Sequence, residues 1–526
     1  MRLSRSLLYW VLAIALGGGL ATYQMAPQWH AWWGLMDDAE YVGWAPPERS
    51  LPATKYLATL QGTEIGKIGI TLRFRPVYYV LRVGERVLWP SSPAWYYAAR
   101  TVMFAAALSL SAWALFTALG GILGGGLFAL VSTQWFWTDI WAHGGPAEQY
   151  AFVGTSLLAV AGVLAWRDIR NAGGRTAAIL ATVGAVLAMG SKENFLVLLV
   201  PLALVLRRVA LASAHRRLAI ALLLAVGAFA VFIVVAVIPG VRLAGSDMYG
   251  SPISTHARFA WATRSEGRWL VVATAVLAFL PVAGWHLLPA WRRTDRARAL
   301  FRTNMRRFYG HVGLLLLLVI SQMVFYSPKW PTFGARYDFP GMLALPLALA
   351  SVSVLFLHWL ELAGFGARGM RRMRMAISVV MVALALRHGA APVRSAAEAN
   401  ARYTLDLRAV LTDAIQRGNQ LGPRTPIIVE WQDTGEGEPA ISTMALMREL
   451  GSAGPFFLRP VSGTPIVDPL QAYSRAGLSP DDTRGRGIRL VPLDSVAAAL
   501  MASKGAAVII MMHAYDVPTV RLERGI

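Results

Sequence analysis

Asp37 and Asp38 stand side by side just after the first long apolar run of the chain. Adjacent carboxylates repel, which favours one of them holding a proton or binding a cation. Such a group can act as a general base toward a hydroxyl. The dipeptide alone reads more simply as a solvated loop end, so its surroundings decide its meaning. Further along, Arg73-Phe74-Arg75-Pro76-Val77-Tyr78-Tyr79 leads into a hydrophobic stretch. Guanidinium groups suit a phosphate through paired hydrogen bonds, and they also suit snorkelling at a membrane surface. Lys192-Glu193 interrupts an apolar run, either as an ion pair closing a helical hairpin or as part of a site. Arg336-Tyr337 opens a late apolar run, where an interfacial anchor is the plainer role. His143 and Glu148 are metal-capable but lack ligand spacing, and a tight-turn or capping role fits each.

The elements that must position these residues are membrane helices. The 526 residues are 56% hydrophobic and 15% charged, where a soluble chain carries roughly 25% charged residues. Mean hydropathy is +0.48. Long apolar runs alternate with short charged stretches, which predicts a polytopic α-helical membrane protein of about eleven spans. They are expected near 6–25, 98–118, 120–138, 148–166, 176–190, 194–207, 217–239, 269–290, 309–327, 338–360 and 373–390. The absence of cysteine excludes disulfides, thiolate zinc sites and cysteine nucleophiles.

Charge gives the orientation. Arg2 and Arg5 precede the first span, and arginines cluster after the fourth, sixth, eighth and tenth. With this span count they share one side, which the positive-inside rule makes cytoplasmic. The net charge of +21 is therefore topological and partly directed at anionic lipid, with no nucleic-acid partner implied. A cleaved signal peptide is the alternative reading of the first span. The other loops then face the periplasm of a bacterial inner membrane. The first of them, residues 26–97, is long, acidic and rich in Trp and Tyr, and parts of it read as helices lying on the membrane surface. Residues 1–394 form the membrane domain. Residues 395–526 lose the apolar dominance and alternate helical and strand-like segments, which predicts a periplasmic soluble α/β domain. No glycine-rich nucleotide fingerprint follows its strands.

Taken in order, the motifs resemble those of the GT-C superfamily of membrane glycosyltransferases, particularly protein O-mannosyltransferase-like members. Asp37-Asp38, "RFRPVYY" at 73–79, "HGGPAEQYA" at 143–151, "SKEN" at 191–194 followed by an apolar run to Pro201, and "ARYDFP" at 335–340 carry the resemblance. It covers residues 1–390. It implies a polyprenyl-phosphate-linked sugar as donor and a glycan, lipid or protein hydroxyl as acceptor. By position, Asp37 is the first choice for the base and Asp38 for its partner. Arg75, Lys192 and Arg336 become donor-phosphate ligands, with Glu148, Glu193, His143 and Tyr337 in support. Many O-mannosyltransferases carry Asp-Glu here, so which aspartate is catalytic stays open. No cofactor is required by the sequence; a divalent cation, Mg or Mn, would sit on Asp37 and Asp38. A single displacement implies inversion at the anomeric carbon. A transporter or lipid flippase would use the same many spans, and a surface-polysaccharide polymerase or ligase would share the lipid-linked substrate.

Overall fold

The computed structural model describes residues 5–35, 38–45, 49–134, 136–167, 173–212, 214–244, 339–362, 364–422, 425–431, 438–452, 456–460, 505–512 and 518–524, with Arg336 and a few positions between 305 and 317. The first half contains α1 (Arg5–Met25), α2 (Ala39–Gly43), α3 (Tyr56–Gln61), α4 (Pro76–Leu88), α5 (Pro93–Leu119) and α6 (Gly121–Ser132). There follow α7 (Trp137–Trp141), α8 (Glu148–Arg167), α9 (Gly173–Ser191), α10 (Leu199–Ala212) and α11 (Arg216–Ala244). Later come α12 (Ala344–Leu362), α13 (Ala367–His388), α14 (Ala390–Leu421) and α15 (Glu438–Glu449).

The fold is mostly helical. Among the described residues, seven helices are long and apolar enough to cross a membrane. They are Arg5–His30, Pro93–Leu119, Glu148–Arg167, Gly173–Ser191, Glu193–Ala212, Arg216–Leu243 and Ala367–Leu421. The segment expected to span at 120–138 behaves differently. α6 stops after 12 residues, a rise of about 18 Å where the hydrocarbon core needs about 30 Å. The chain then folds back into α7, and the Trp137 indole donates to the Val131 carbonyl. The expected span at 269–290 lies outside the described residues, as does most of the one at 309–327.

Local chemistry explains the helix ends near the site. Pro93 sits in the first turn of α5, where its missing N–H costs nothing. Gly120, at φ +84°, turns α5 into α6 through a conformation that side chains disfavour. α9 ends because Lys192 is extended, at φ −153° and ψ 131°. The break therefore falls at the SKEN motif, and a 3₁₀ turn over Glu193–Leu198 restarts the chain toward α10.

Small residues set the helix spacing. A Cβ on Gly154 of α8 would lie 2.4 Å from the Gly184 carbonyl of α9, and the reverse distance is also 2.4 Å. Backbones this close leave no room for a methyl group. Gly154→Leu is expected to push α8 from α9 and cost about 1–3 kcal/mol or more. Thermal unfolding of the detergent-held protein checks this, and an unchanged midpoint would contradict it.

The C-terminal part holds four strands: β1 (Ile427–Trp431), β2 (Phe456–Pro460), β3 (Ala506–Met511) and β4 (Thr519–Arg524). Their order is β2-β1-β3-β4. β1 runs parallel to β2 and β3, and β4 is antiparallel to β3. β1 and β3 are apolar and buried, as central strands must be. The expected boundary at 394 falls inside α14, a helix that runs from the bundle to the sheet.

Candidate active site

Asp38 is fully buried just ahead of α2. Its Oδ1 accepts the Gly144 N–H at 2.7 Å. Its Oδ2 accepts the Gly34 N–H at 3.0 Å and the Tyr97 hydroxyl at 3.0 Å. Both glycines let the carboxylate approach, since a Cβ on either would stand 3.2 Å from a carboxylate oxygen. Burial raises the Asp38 carboxyl above the usual aspartate range, opposed by His143, Gly34, Tyr97 and Arg82. The side chain thus clasps residue 34 of the first loop, residue 144 of the second and helix α5 together. Asp37 lies outside the described residues.

The 142–146 turn that receives this clasp is held from every side. The Gly144 carbonyl accepts from Arg100 Nε at 2.9 Å, and the Gly145 carbonyl accepts from the Tyr78 hydroxyl at 2.6 Å and Arg82 Nη1 at 3.2 Å. Arg100 and Glu85 form a two-pronged pair, with 2.6 Å from Nη1 to Oε1 and 2.6 Å from Nη2 to Oε2. The hydroxyls of Tyr41 and Tyr150 donate to the same carboxylate at 3.0 and 2.8 Å. Arg82 lies over the Tyr41 ring at 4.3 Å and pairs with Glu40 at 3.1 Å. Sequence reasoning missed this network. One signal was available: Arg100 is a buried cation inside an otherwise apolar span, and such residues are expensive unless they have a task.

The basic residues gather at the SKEN turn. Lys192 and Glu148 form a buried ion pair. The pairing differs from the Lys192–Glu193 pair considered from sequence: Lys192 is extended and its ammonium meets Glu148 across the bundle. Instead Glu193 Oε1 accepts the Phe74 N–H at 3.2 Å, which pins the 73–75 segment against the turn. Phe339 packs against Trp137 at 5.2 Å and Phe195 at 5.3 Å, and the Arg336 N–H reaches Asp139 at 2.9 Å. These anchors bring Arg73 and Arg336 within electrostatic reach of the Lys192 ammonium, where both act as repulsive neighbours. Arg73 was not among the predicted site residues. Arg75 was, but its guanidinium is engaged with Glu64, Nε to Oε1 at 3.1 Å and Nη2 to Oε1 at 2.5 Å. It also donates to the Tyr79 hydroxyl at 3.3 Å.

His143 lies between the two groups. Its Nε2 is 3.6 Å from Asp139 Oδ1, and its buried Nδ1 makes no hydrogen bond. Tyr337 lies outside the described residues. Among the described residues, no three His, Asp or Glu side chains cluster as metal ligands. Asp38, the described half of the acidic pair, does not fit a cation, because its carboxylate already accepts three hydrogen bonds in a buried setting.

A lysine paired with a buried carboxylate and flanked by arginines can take a phosphate group by charge-assisted hydrogen bonds. A neighbouring acid can take a proton from a hydroxyl. No family model matches the chain, and no curated protein matches it. A crystal structure of ArnT from Cupriavidus metallidurans bound to undecaprenyl phosphate is similar to this chain over 95% of its length and 92% of that chain. The TM-score is 0.43 and the sequence identity 15%.

Proposed function

We propose that this protein is a membrane glycosyltransferase that moves a sugar from a polyprenyl-phosphate donor to an acceptor hydroxyl. The observation that carries the reading is the buried Lys192–Glu148 pair with Arg73 and Arg336 as charged neighbours of Lys192, joined by one short turn, residues 143–147, to the Asp38 clasp. Departure of the sugar leaves charge on the lipid phosphate, and fixed cations stabilise it as it develops. Asp37, whose partner Asp38 is committed to the clasp, takes the acceptor proton. One displacement inverts the anomeric carbon.

The wider frame of the reading is an eleven-span protein of a bacterial inner membrane. Its N-terminus is cytoplasmic, and its acidic loop and C-terminal α/β domain are periplasmic. The acceptor is a hydroxyl of a glycan, lipid or protein on that face. A bound Mg or Mn ion would need ligands other than Asp38.

The test is transfer by the purified full chain with a panel of polyprenyl-phosphate sugars. Arg73→Ala and Arg336→Ala are each expected to raise the donor KM about 10- to 100-fold, the worth of one hydrogen bond to a charged group. Absence of transfer from every lipid-phosphate sugar, or an unchanged donor KM in both variants, would refute the reading.

A further inference from the structure

The two backbone donors of the Asp38 carboxylate, Gly34 N–H and Gly144 N–H, belong to loops far apart in sequence. Both loops are tied to one face of α14. Thr404 Oγ1 accepts the Trp32 N–H at 2.9 Å, two residues before Gly34. Asn400 Nδ2 donates to the Ala142 carbonyl at 2.9 Å, two residues before Gly144. The same amide reaches Gln28 Oε1 at 3.3 Å, and Gln28 Nε2 donates to the Ala397 carbonyl at 2.6 Å. Residues four apart share a helix face, so Asn400 and Thr404 act as one ruler for both loops.

That ruler is fixed at both ends. Near its start, Arg394 Nη1 donates to the Tyr23 carbonyl of α1 at 2.9 Å. Toward its end, Leu407 and Leu411 enter a buried core that also contains Trp33 and Tyr41 of the acidic loop and Val429 and Met447 of the sheet region. Ser91, just before α5, hydrogen-bonds Glu449 of α15. The acidic loop and the C-terminal sheet therefore share one hydrophobic interior.

We infer that Asn400 and Thr404 are positioning residues of the transfer site, and that the C-terminal domain sets the register of the acidic loop through α14. Loss of either contact lets residues 31–35 slide against 142–146. The Asp38 clasp then loosens, and the loop that carries the acidic pair loses its register against the 142–146 turn. This role rests on the transferase reading for its catalytic consequence, but not for its structural one.

Two measurements on the full chain in lipid nanodiscs separate these. The first is amide hydrogen exchange in peptides covering 31–35 and 142–146. Thr404→Val removes the contact to Trp32 at nearly constant volume, Asn400→Leu removes those to Ala142 and Gln28 with the same number of side-chain heavy atoms, and Thr404→Ser restores the hydroxyl. Exchange is expected to quicken about five- to tenfold in the segment each side chain holds, with α8 and α9 unchanged and the serine variant like wild type. The second is transfer kinetics, in which Thr404→Val is expected to lower kcat about five- to tenfold with the donor KM unchanged. Unchanged exchange in both segments, or equal quickening across α8 and α9, overturns the inference. So does a Thr404→Val variant that raises KM and leaves kcat intact. A wild-type chain that transfers no sugar defeats the transferase reading alone, and the exchange result still decides the positioning role.

Discussion

Asp37→Asn is expected to lower transfer about 10²- to 10⁴-fold with the fold intact, the usual worth of a general base. Asp38→Asn is expected to fail differently, losing about 1–3 kcal/mol of stability before any chemistry is asked of it. The difference follows from the clasp. Both Asp38 oxygens accept, from two backbone N–H groups and one hydroxyl. An asparagine must turn its amide NH₂ toward either Gly34 or Gly144, setting donor against donor in a buried place. The thermal midpoint and kcat of each variant, measured on the same preparations, separate the two roles. Equal midpoints for the two variants would remove the structural role assigned to Asp38. Full activity in Asp37→Asn would remove the catalytic one assigned to Asp37.

Arg100→Ala is expected to be among the most damaging single changes in the chain, at about 3–5 kcal/mol. The guanidinium is 1% exposed and faces Glu85 with two short contacts. Removing it leaves that carboxylate buried, with the Tyr41 and Tyr150 hydroxyls as its remaining described hydrogen-bond donors. The Gly144 carbonyl loses its Nε donor as well. A paired replacement, Arg100→Met with Glu85→Gln, removes both charges and is expected to recover most of the loss. Denaturation of the wild type, Arg100→Met, Glu85→Gln and the double variant gives the coupling directly. A double variant no more stable than Arg100→Ala would show that the arginine acts mainly through the Gly144 carbonyl and not through Glu85.

The spans were readable because apolar length is a strong signal in a bilayer, and α1, α5, α8 and α9 lie where the runs predicted them. The SKEN turn was readable for the opposite reason: charge interrupts an apolar run, and the chain breaks there at Lys192. Pairing was not readable. Lys192 chose Glu148, and Arg75 chose Glu64. Each choice depends on which loop folds over which, and that is decided by contacts such as Phe339 against Phe195 and Trp137. The length of α6 escaped the sequence too, since Trp137 is as apolar as its predecessors and only its side-chain bond to Val131 shows the chain turning back. The α14 contacts had no local signature at all, because Asn400 and Thr404 are ordinary polar residues on a helix surface until the loops arrive.

The tie between Trp32 and Thr404 has a consequence for how the molecule is made. The two residues are 372 positions apart in the chain. During synthesis the first loop emerges with its membrane helix long before α14 exists. Closing so long a loop is slow and entropically costly. The acidic loop therefore waits, with Trp33 and Tyr41 covered on one side by Tyr96 of α5 but not yet by Leu407 and Leu411, until α14 has been made. A chain cut short before α14 would insert its helices and still lack an assembled site. A late helix thus decides when the first loop takes its place.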